Sequence, residues 1–187
     1  MRRSSADPPP PTGTPPVGAP SAPPSGLLGP DPRWHRSPHH SSRRGAAIQW
    51  IVLHADVSPA ESITLDWLAN PASKVSYHVL VHRTGAVTRV VPDERAAWAC
   101  GVSRWQQVAY LNRHSLSLAF ANRHDGREPI TTAQLAAAVA LCQAWMRRHP
   151  TIRAVLTHRA ISPGRKTDPT RVPNWDAIWE HFHSLGA

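Results

Sequence analysis

From residue 47 onward, short apolar blocks alternate with polar breaks that carry proline and glycine. Ile48-Gln49-Trp50-Ile51-Val52-Leu53-His54 is a β-branched apolar run and predicts a buried strand with His54 at its C-terminal end. Ser62 to Ala69 fits a short helix that ends before Asn70-Pro71. Ser76 to His82 alternates as a strand does, and Arg83-Thr84-Gly85-Ala86 then predicts a hairpin turn into Val87–Val91. Ser115 to Ala121 reads as another strand. Thr131-Thr132-Ala133-Gln134 has the form of a capping box, followed by Leu135, Val139, Cys142 and Met146 at helical spacing. That helix should stop near His149-Pro150. Ala154 to Thr157 predicts a short strand that delivers His158 to its end, and Asn174 should cap a last helix running to about Leu185. Mixed strands and helices with one hairpin predict a single α/β domain, with a mixed central β-sheet flanked by helices.

Composition divides the chain. Of its 20 prolines, 12 fall within residues 1–46, a segment with almost no apolar run. Such a segment buries too little surface to offset the entropy of ordering, so residues 1–46 are expected to form a disordered Pro/Arg-rich tail. Residues 47–187 are long enough for one core. The net charge of +9 favours anionic partners without choosing among them, and 19 of the 21 basic residues are arginine, so part of the excess is compositional. Only two lysines exist, which gives weight to the one at position 166. Cys100 and Cys142 imply no disulfide framework. Met1-Arg2-Arg3 is followed by no apolar signal region and no membrane-length apolar run occurs, so the expectation is a protein made and kept in the cytoplasm unless released.

The chemistry concentrates in Thr157-His158-Arg159-Ala160-Ile161-Ser162-Pro163-Gly164-Arg165-Lys166-Thr167-Asp168-Pro169. An imidazole and a carboxylate stand ten residues apart on a Pro/Gly-bearing loop, with a lysine two residues before the carboxylate. His54 ends another strand, and in open α/β sheets sites gather beyond the C-terminal strand ends. Three protein ligands with a fourth position left for water mark a catalytic rather than a structural zinc site. With 12 histidines present, placement by chance has to be weighed. His39, His40, His181 and His183 are expected to be solvated, and His78 and His82 to be structural. On spacing alone, a basic surface loop remains an open alternative.

Ile51-Val52-Leu53-His54, Ser76-Tyr77-His78, Val91-Pro92-Asp93-Glu94, Ala97-Trp98-Ala99-Cys100-Gly101, Asn112-Arg113-His114-Ser115-Leu116 and His158 through Pro169 occur in one order. In that order they resemble the type 2, zinc-dependent N-acetylmuramoyl-L-alanine amidases, a family that includes phage endolysins, anhydro-muropeptide amidases and peptidoglycan recognition proteins. The resemblance spans about residues 47 to 182. It implies His54, His158 and Asp168 as Zn2+ ligands, Lys166 as the oxyanion stabiliser and Tyr77 as an aid to proton transfer or water orientation. The chain departs from the pattern at Ala119, where many members carry a glutamate base, and at Ala99, where many carry a histidine. A methyl group accepts no proton.

The resemblance implies hydrolysis of the amide between N-acetylmuramic acid and L-alanine in peptidoglycan or muropeptides, with endolysin-type cell-wall lysis placed first. The alternatives are a soluble anhydro-muropeptide recycling amidase and a peptidoglycan-binding module that does not cut. No base-reading motif is present, so no nucleic-acid partner is expected. A monomer is expected.

Overall fold

The computed structural model describes residues 33–186. In chain order the elements are β1 (Arg33–Trp34), β2 (His40–Ser42), β3 (Trp50–Ala55), α1 (Glu61–Ala69), β4 (Val79–Val81), β5 (Val87–Arg89), β6 (Arg95–Ala97), β7 (Arg104–Trp105) and β8 (Val108–Ala109). These are followed by β9 (Ser115–Phe120), α2 (Thr132–Arg148), β10 (Ala154–Thr157), α3 (His158–Ile161) and α4 (Trp175–His183). Short 3₁₀ turns precede β9 and follow α4.

One sheet of six strands, ordered β1-β5-β4-β9-β3-β10, organises the domain. β4 and β5 form the predicted antiparallel hairpin, and every other pair is parallel. Gly85 closes the hairpin at φ +84, and a Cβ there would stand 2.8 Å from the Ala133 carbonyl oxygen, so only glycine fits. The sheet is the expected mixed one. Both of its faces are covered, which is why the β3 and β9 segments read as continuous apolar runs rather than alternating ones.

The two faces carry different jobs. Ile51 and Leu53 of β3, with Leu116, Leu118 and Phe120 of β9, point into the main core against α2 and α4. Trp50 and Val52 point the other way, toward Ala99, Cys100, Leu111 and Ile161. His54 shares the parity of Trp50 and Val52, so the pleat itself places it on that second face. Ala119 occupies the same face beside Leu80 and Tyr77, under Leu65 of α1.

α2 begins with the predicted capping box: Thr131 Oγ1 accepts from Gln134 N, and Gln134 Oε1 accepts from Thr131 N. The stripe that packs differs from the predicted one. Ala138, Leu141, Cys142 and Trp145 are fully buried, whereas Leu135, Val139 and Met146 lie partly buried along its flank. The buried stripe thus mixes small alanines with the large Leu141 and Trp145. Asn174 stands at the start of α4 as expected, but its side chain does not cap the helix. It bonds instead to the backbone N–H and carbonyl of Ile130.

The tail expectation divides at residue 33. Residues 1–32 lie outside the described residues. Residues 33–46, expected to belong to the disordered tail, are packed: β1 extends the main sheet, and β2 pairs antiparallel with β6. His39, expected to be solvated, is buried, with its Nε2 2.8 Å from the Asn70 carbonyl. Arg43 secures the segment. Its buried guanidinium donates to the carbonyls of Asp93 (2.9 Å), Arg113 (2.8 Å) and Ser115 (2.9 Å). A few polar anchors hold what hydrophobicity alone does not. Cys100 and Cys142 are both free and buried, and among the described residues no helix is long and apolar enough to cross a membrane.

Candidate metal and active site

β3 and β10 lie side by side in parallel register, Leu53 opposite Thr157. Leu53 and Thr157 are the last pair of that ladder, and the residue that follows each of them is a histidine. His54 is the fifth residue of β3, and His158 opens α3, whose first turn is capped by Thr157 Oγ1 accepting from Ala160 N. The loop from α3 then returns, and Arg159 N donates to the Asp168 carbonyl at 3.0 Å, which brings the Asp168 side chain back over the two rings.

The three side chains converge on one point. His54 Nδ1 and His158 Nδ1 are 3.0 Å apart, His158 Nδ1 and Asp168 Oδ2 are 3.0 Å apart, and His54 Nδ1 and Asp168 Oδ2 are 3.5 Å apart. All three residues are buried. A tetrahedral zinc with ligand distances of ~2.0–2.1 Å has ligand-to-ligand edges of roughly 3.3 Å, so this triangle is close to the size zinc requires. His158 Nε2 lies 3.2 Å from the Cys100 carbonyl, which can only accept, so the ring proton belongs on Nε2 and the Nδ1 lone pair faces Asp168. In the neutral ring, Nδ1 and Oδ2 are then two acceptors in contact, an arrangement that a cation resolves. These three residues could hold a divalent metal.

Electrostatics agree. Burial, with His158 alongside, holds the His54 imidazole down at about 4, so its lone pair is free at neutral pH. Burial raises the Asp168 carboxyl, but the His158 and His54 imidazoles close against it outweigh that and keep the group well below the usual carboxylate range.

Tyr77 and Lys166 reach the same place. The Tyr77 ring centroid is 5.2 Å from that of His54, and burial followed by the charges of Asp168 and Asp56 pushes its phenol above the ordinary value. Tyr77, Lys166, His158 and Asp168 line one cavity of about 330 Å³. Apolar side chains also line it: Val57 two residues beyond β3, Ile63 and Trp67 on α1, and Val75. Ile63 and Trp67 are each 52% exposed, a large apolar area on the outer face of a helix. A larger cavity of about 520 Å³ lies behind the 158–168 loop, between Arg159, Pro163, Trp175 and Trp179, and none of the converging groups lines it.

Three contributors were not foreseen. Asp56 ties the end of β3 to its neighbours: Oδ1 accepts from Ser58 N and Asn122 N, and Oδ2 accepts from Thr64 Oγ1. Asn112 Oδ1 accepts from Ala99 N (3.2 Å) and Cys100 N (2.7 Å), which fixes the strand of backbone facing His158. Arg165 holds the carbonyl side of the same backbone. Asp56 stands two residues past His54, a parity that could have signalled it; the other two carry no local signal. His78 and His82 are structural as expected. Ser117 N donates to His78 Nδ1 while His78 Nε2 faces the Arg95 carbonyl, and His82 bridges Glu61 and Thr88.

Residues 44–171 match the family model described as N-acetylmuramoyl-L-alanine amidase. The 1,6-anhydro-N-acetylmuramyl-L-alanine amidase AmpD of Enterobacter cloacae is 30% identical over 174 residues, covering 83% of this chain and 90% of its own length. Among solved structures, a selenomethionine derivative of AmpD superposes with a TM-score of 0.66 at 27% identity, covering 80% of this chain and 93% of that one. The amidase AmiD from E. coli, in complex with anhydro-N-acetylmuramic acid-L-Ala-D-γ-Glu-L-Lys, superposes with a TM-score of 0.64 at 26% identity, covering 77% and 61%.

Proposed function

The chain belongs to the N-acetylmuramoyl-L-alanine amidase family, and we propose that it hydrolyses the amide joining N-acetylmuramic acid to L-alanine with zinc held by His54, His158 and Asp168. The observation that carries this reading is the convergence of two Nδ1 atoms and one carboxylate oxygen on a single point, with His158 and Asp168 of that set lining a cavity. Bound zinc supplies Lewis acidity, which polarises a carbonyl and brings the ionisation of water toward neutral pH.

The protein groups divide the remaining work. Lys166 presents an ammonium at the cavity, where it can stabilise negative charge developing on the amide oxygen. Tyr77, packed on His54 and lining the same cavity, carries a hydroxyl that can assist proton transfer or orient the water. Ala119 offers no proton acceptor, so proton transfer falls to the remaining groups. The apolar wall of Val57, Ile63 and Trp67 provides a surface for the acetamido sugar and the alanyl methyl.

Cell-wall lysis, placed first from the sequence, and turnover of soluble anhydro-muropeptides share this chemistry. The relatives whose names specify the 1,6-anhydro substrate support the second. The test is mass spectrometry of the products from intact sacculi and from soluble anhydro-muropeptides, each with and without a chelator. Free lactyl-bearing sugar and free L-alanyl peptide, lost on chelation and restored by zinc, are expected. Folded, zinc-saturated protein that binds sacculi yet releases nothing would replace the enzyme with a binding module.

A further inference from the structure

The two loops that meet at His158 are joined by one side chain. Arg165 Nη2 lies 2.6 Å from the Cys100 carbonyl oxygen, 2.8 Å from the Val102 carbonyl oxygen and 2.8 Å from Ser162 Oγ, with its N–H groups shared among the three acceptors. Ser162 Oγ in turn donates to the Val102 carbonyl at 2.9 Å. The guanidinium spreads over Gly101, where a Cβ would stand 3.5 Å from both of its terminal nitrogens. Arg165 is itself anchored in its own loop, its N–H donating to the Ser162 carbonyl at 3.1 Å.

The Cys100 carbonyl is the same oxygen that lies 3.2 Å from His158 Nε2. It is held from both sides: Asn112 takes the N–H of its residue, and Arg165 takes the carbonyl itself. A cation on this oxygen fixes where it points, and where it points decides how His158 is turned and which ring nitrogen keeps the proton. The same side chain pins the 158–168 loop, which brings in Lys166 and Asp168, to the 100–102 backbone that faces them.

We infer that Arg165 is a positioning residue for the metal site, acting through the Cys100 carbonyl on His158 and through the loop on Lys166 and Asp168. The inference rests on the reading of His158 as a ligand. It assigns Arg165 no contact with substrate.

The experiment uses the full chain and three proteins: wild type, Arg165→Met and Arg165→Lys. Zinc affinity is measured by competition with a chromophoric chelator, and the melting temperature is measured on the metal-free forms. Arg165→Met should lose about 10–100-fold in zinc affinity, the range for groups that orient a ligand from behind, with the metal-free melting temperature unchanged. Arg165→Lys, which keeps a cation able to reach one carbonyl, should recover part of that loss. Equal affinities in all three proteins would overturn the inference. So would a loss in Arg165→Met that tracks a fall in metal-free stability and is not eased by lysine, since that pattern is purely structural. If Arg165→Met does not fold, Arg165→Gln against Arg165→Lys gives the same comparison. Wild-type protein that takes up no zinc defeats the metal reading and this inference together, and that result is visible before any variant is compared.

Discussion

Ala119 lies directly opposite His54 in the parallel pairing of β3 and β9, with both side chains on the same face of the sheet. Its methyl packs beside Tyr77 in a fully buried position. Ala119→Glu would place a carboxylate one strand away from the converging groups. General base assistance is typically worth about 10²–10⁴-fold, so kcat should rise by at least about 10-fold, at a stability cost above the roughly 1–3 kcal/mol of burying a neutral polar group, since the carboxylate enters a fully buried site. Steady-state kinetics and urea denaturation on the same preparation check both. A kcat that stays flat while the variant folds would mean that proton transfer does not limit turnover.

Removing a ligand should disconnect the protein from the metal. Zinc at a hundred times its dissociation constant stabilises a protein that binds it only when folded by about 2.7 kcal/mol. Thermal unfolding of wild type should shift upward accordingly, whereas His158→Ala should show no shift, retain no zinc after dialysis and release no product. A zinc-dependent shift in His158→Ala equal to that of wild type would remove His158 from the ligand set.

Lys166 and Tyr77 should separate chemistry from metal retention. Lys166→Ala should lower kcat by about 10²–10³-fold, the range for losing one oxyanion-stabilising group, with zinc content unchanged. Tyr77→Phe keeps the ring against His54 and removes only the hydroxyl, so kcat should fall by up to about 10²-fold with little change in KM or stability. Variants that instead raise KM alone would make these residues substrate contacts.

Acid should destabilise the fold through His78. Burial, followed by the nearby Arg43 charge, holds its imidazole down at about 3, against an ordinary value of 6.5. Between those values the unfolded chain binds a proton that the folded chain refuses, so stability falls as pH drops through 6.5 and continues to fall toward 3. This histidine alone should cost about 2 kcal/mol between pH 7 and pH 5. Urea midpoints measured across that range for wild type and His78→Gln check it: the glutamine variant should show a shallower decline.

The chain boundary is testable in the same way. A protein starting at residue 47 lacks β1, β2 and Arg43, whose guanidinium satisfies the carbonyls of Asp93, Arg113 and Ser115. Left unpaired, buried carbonyls cost about 1–3 kcal/mol each, partly relieved by water. The 47–187 protein should therefore melt well below one spanning 33–187. Equal melting temperatures would make β1 and β2 dispensable.

What could be read in advance, and what could not, follows from where each residue finds its partners. β3, β9 and the β4–β5 hairpin were legible because a doubly covered parallel sheet writes continuous apolar runs, and because Gly85 marks a turn that requires it. His54, His158 and Asp168 stood out as candidates at strand ends and on a Pro/Gly loop, but spacing alone left a plain surface loop open, and only the family resemblance joined the three as one set. β1 and β2 were not: strands of two and three residues have no periodicity, and the segment is held by Arg43 and by the contact of His39 with the Asn70 carbonyl. Arg165 and Asn112 were hidden for a related reason. Their partners are backbone groups some 60 and 12 residues away, and no side-chain pattern records where a distant carbonyl will point. The stripe of α2 misled because leucine and valine draw attention, whereas the buried side includes alanines, which read as neutral in a hydrophobic pattern.

The adjacency of β3 and β10 also sets an order of events. His54 and His158 are 104 residues apart, and nothing local to either histidine can bring them together. They meet only when the last strand docks against a sheet whose other five strands all precede it in the chain. Closing so long a loop belongs to the slow, non-local part of assembly. A half-built domain would hold one imidazole and no partner, so it could not sequester metal in the wrong geometry. On the proposed reading of these residues as zinc ligands, the moment of tight zinc capture during refolding would date the arrival of the final strand, and the metal would serve as a clock for the completion of the fold.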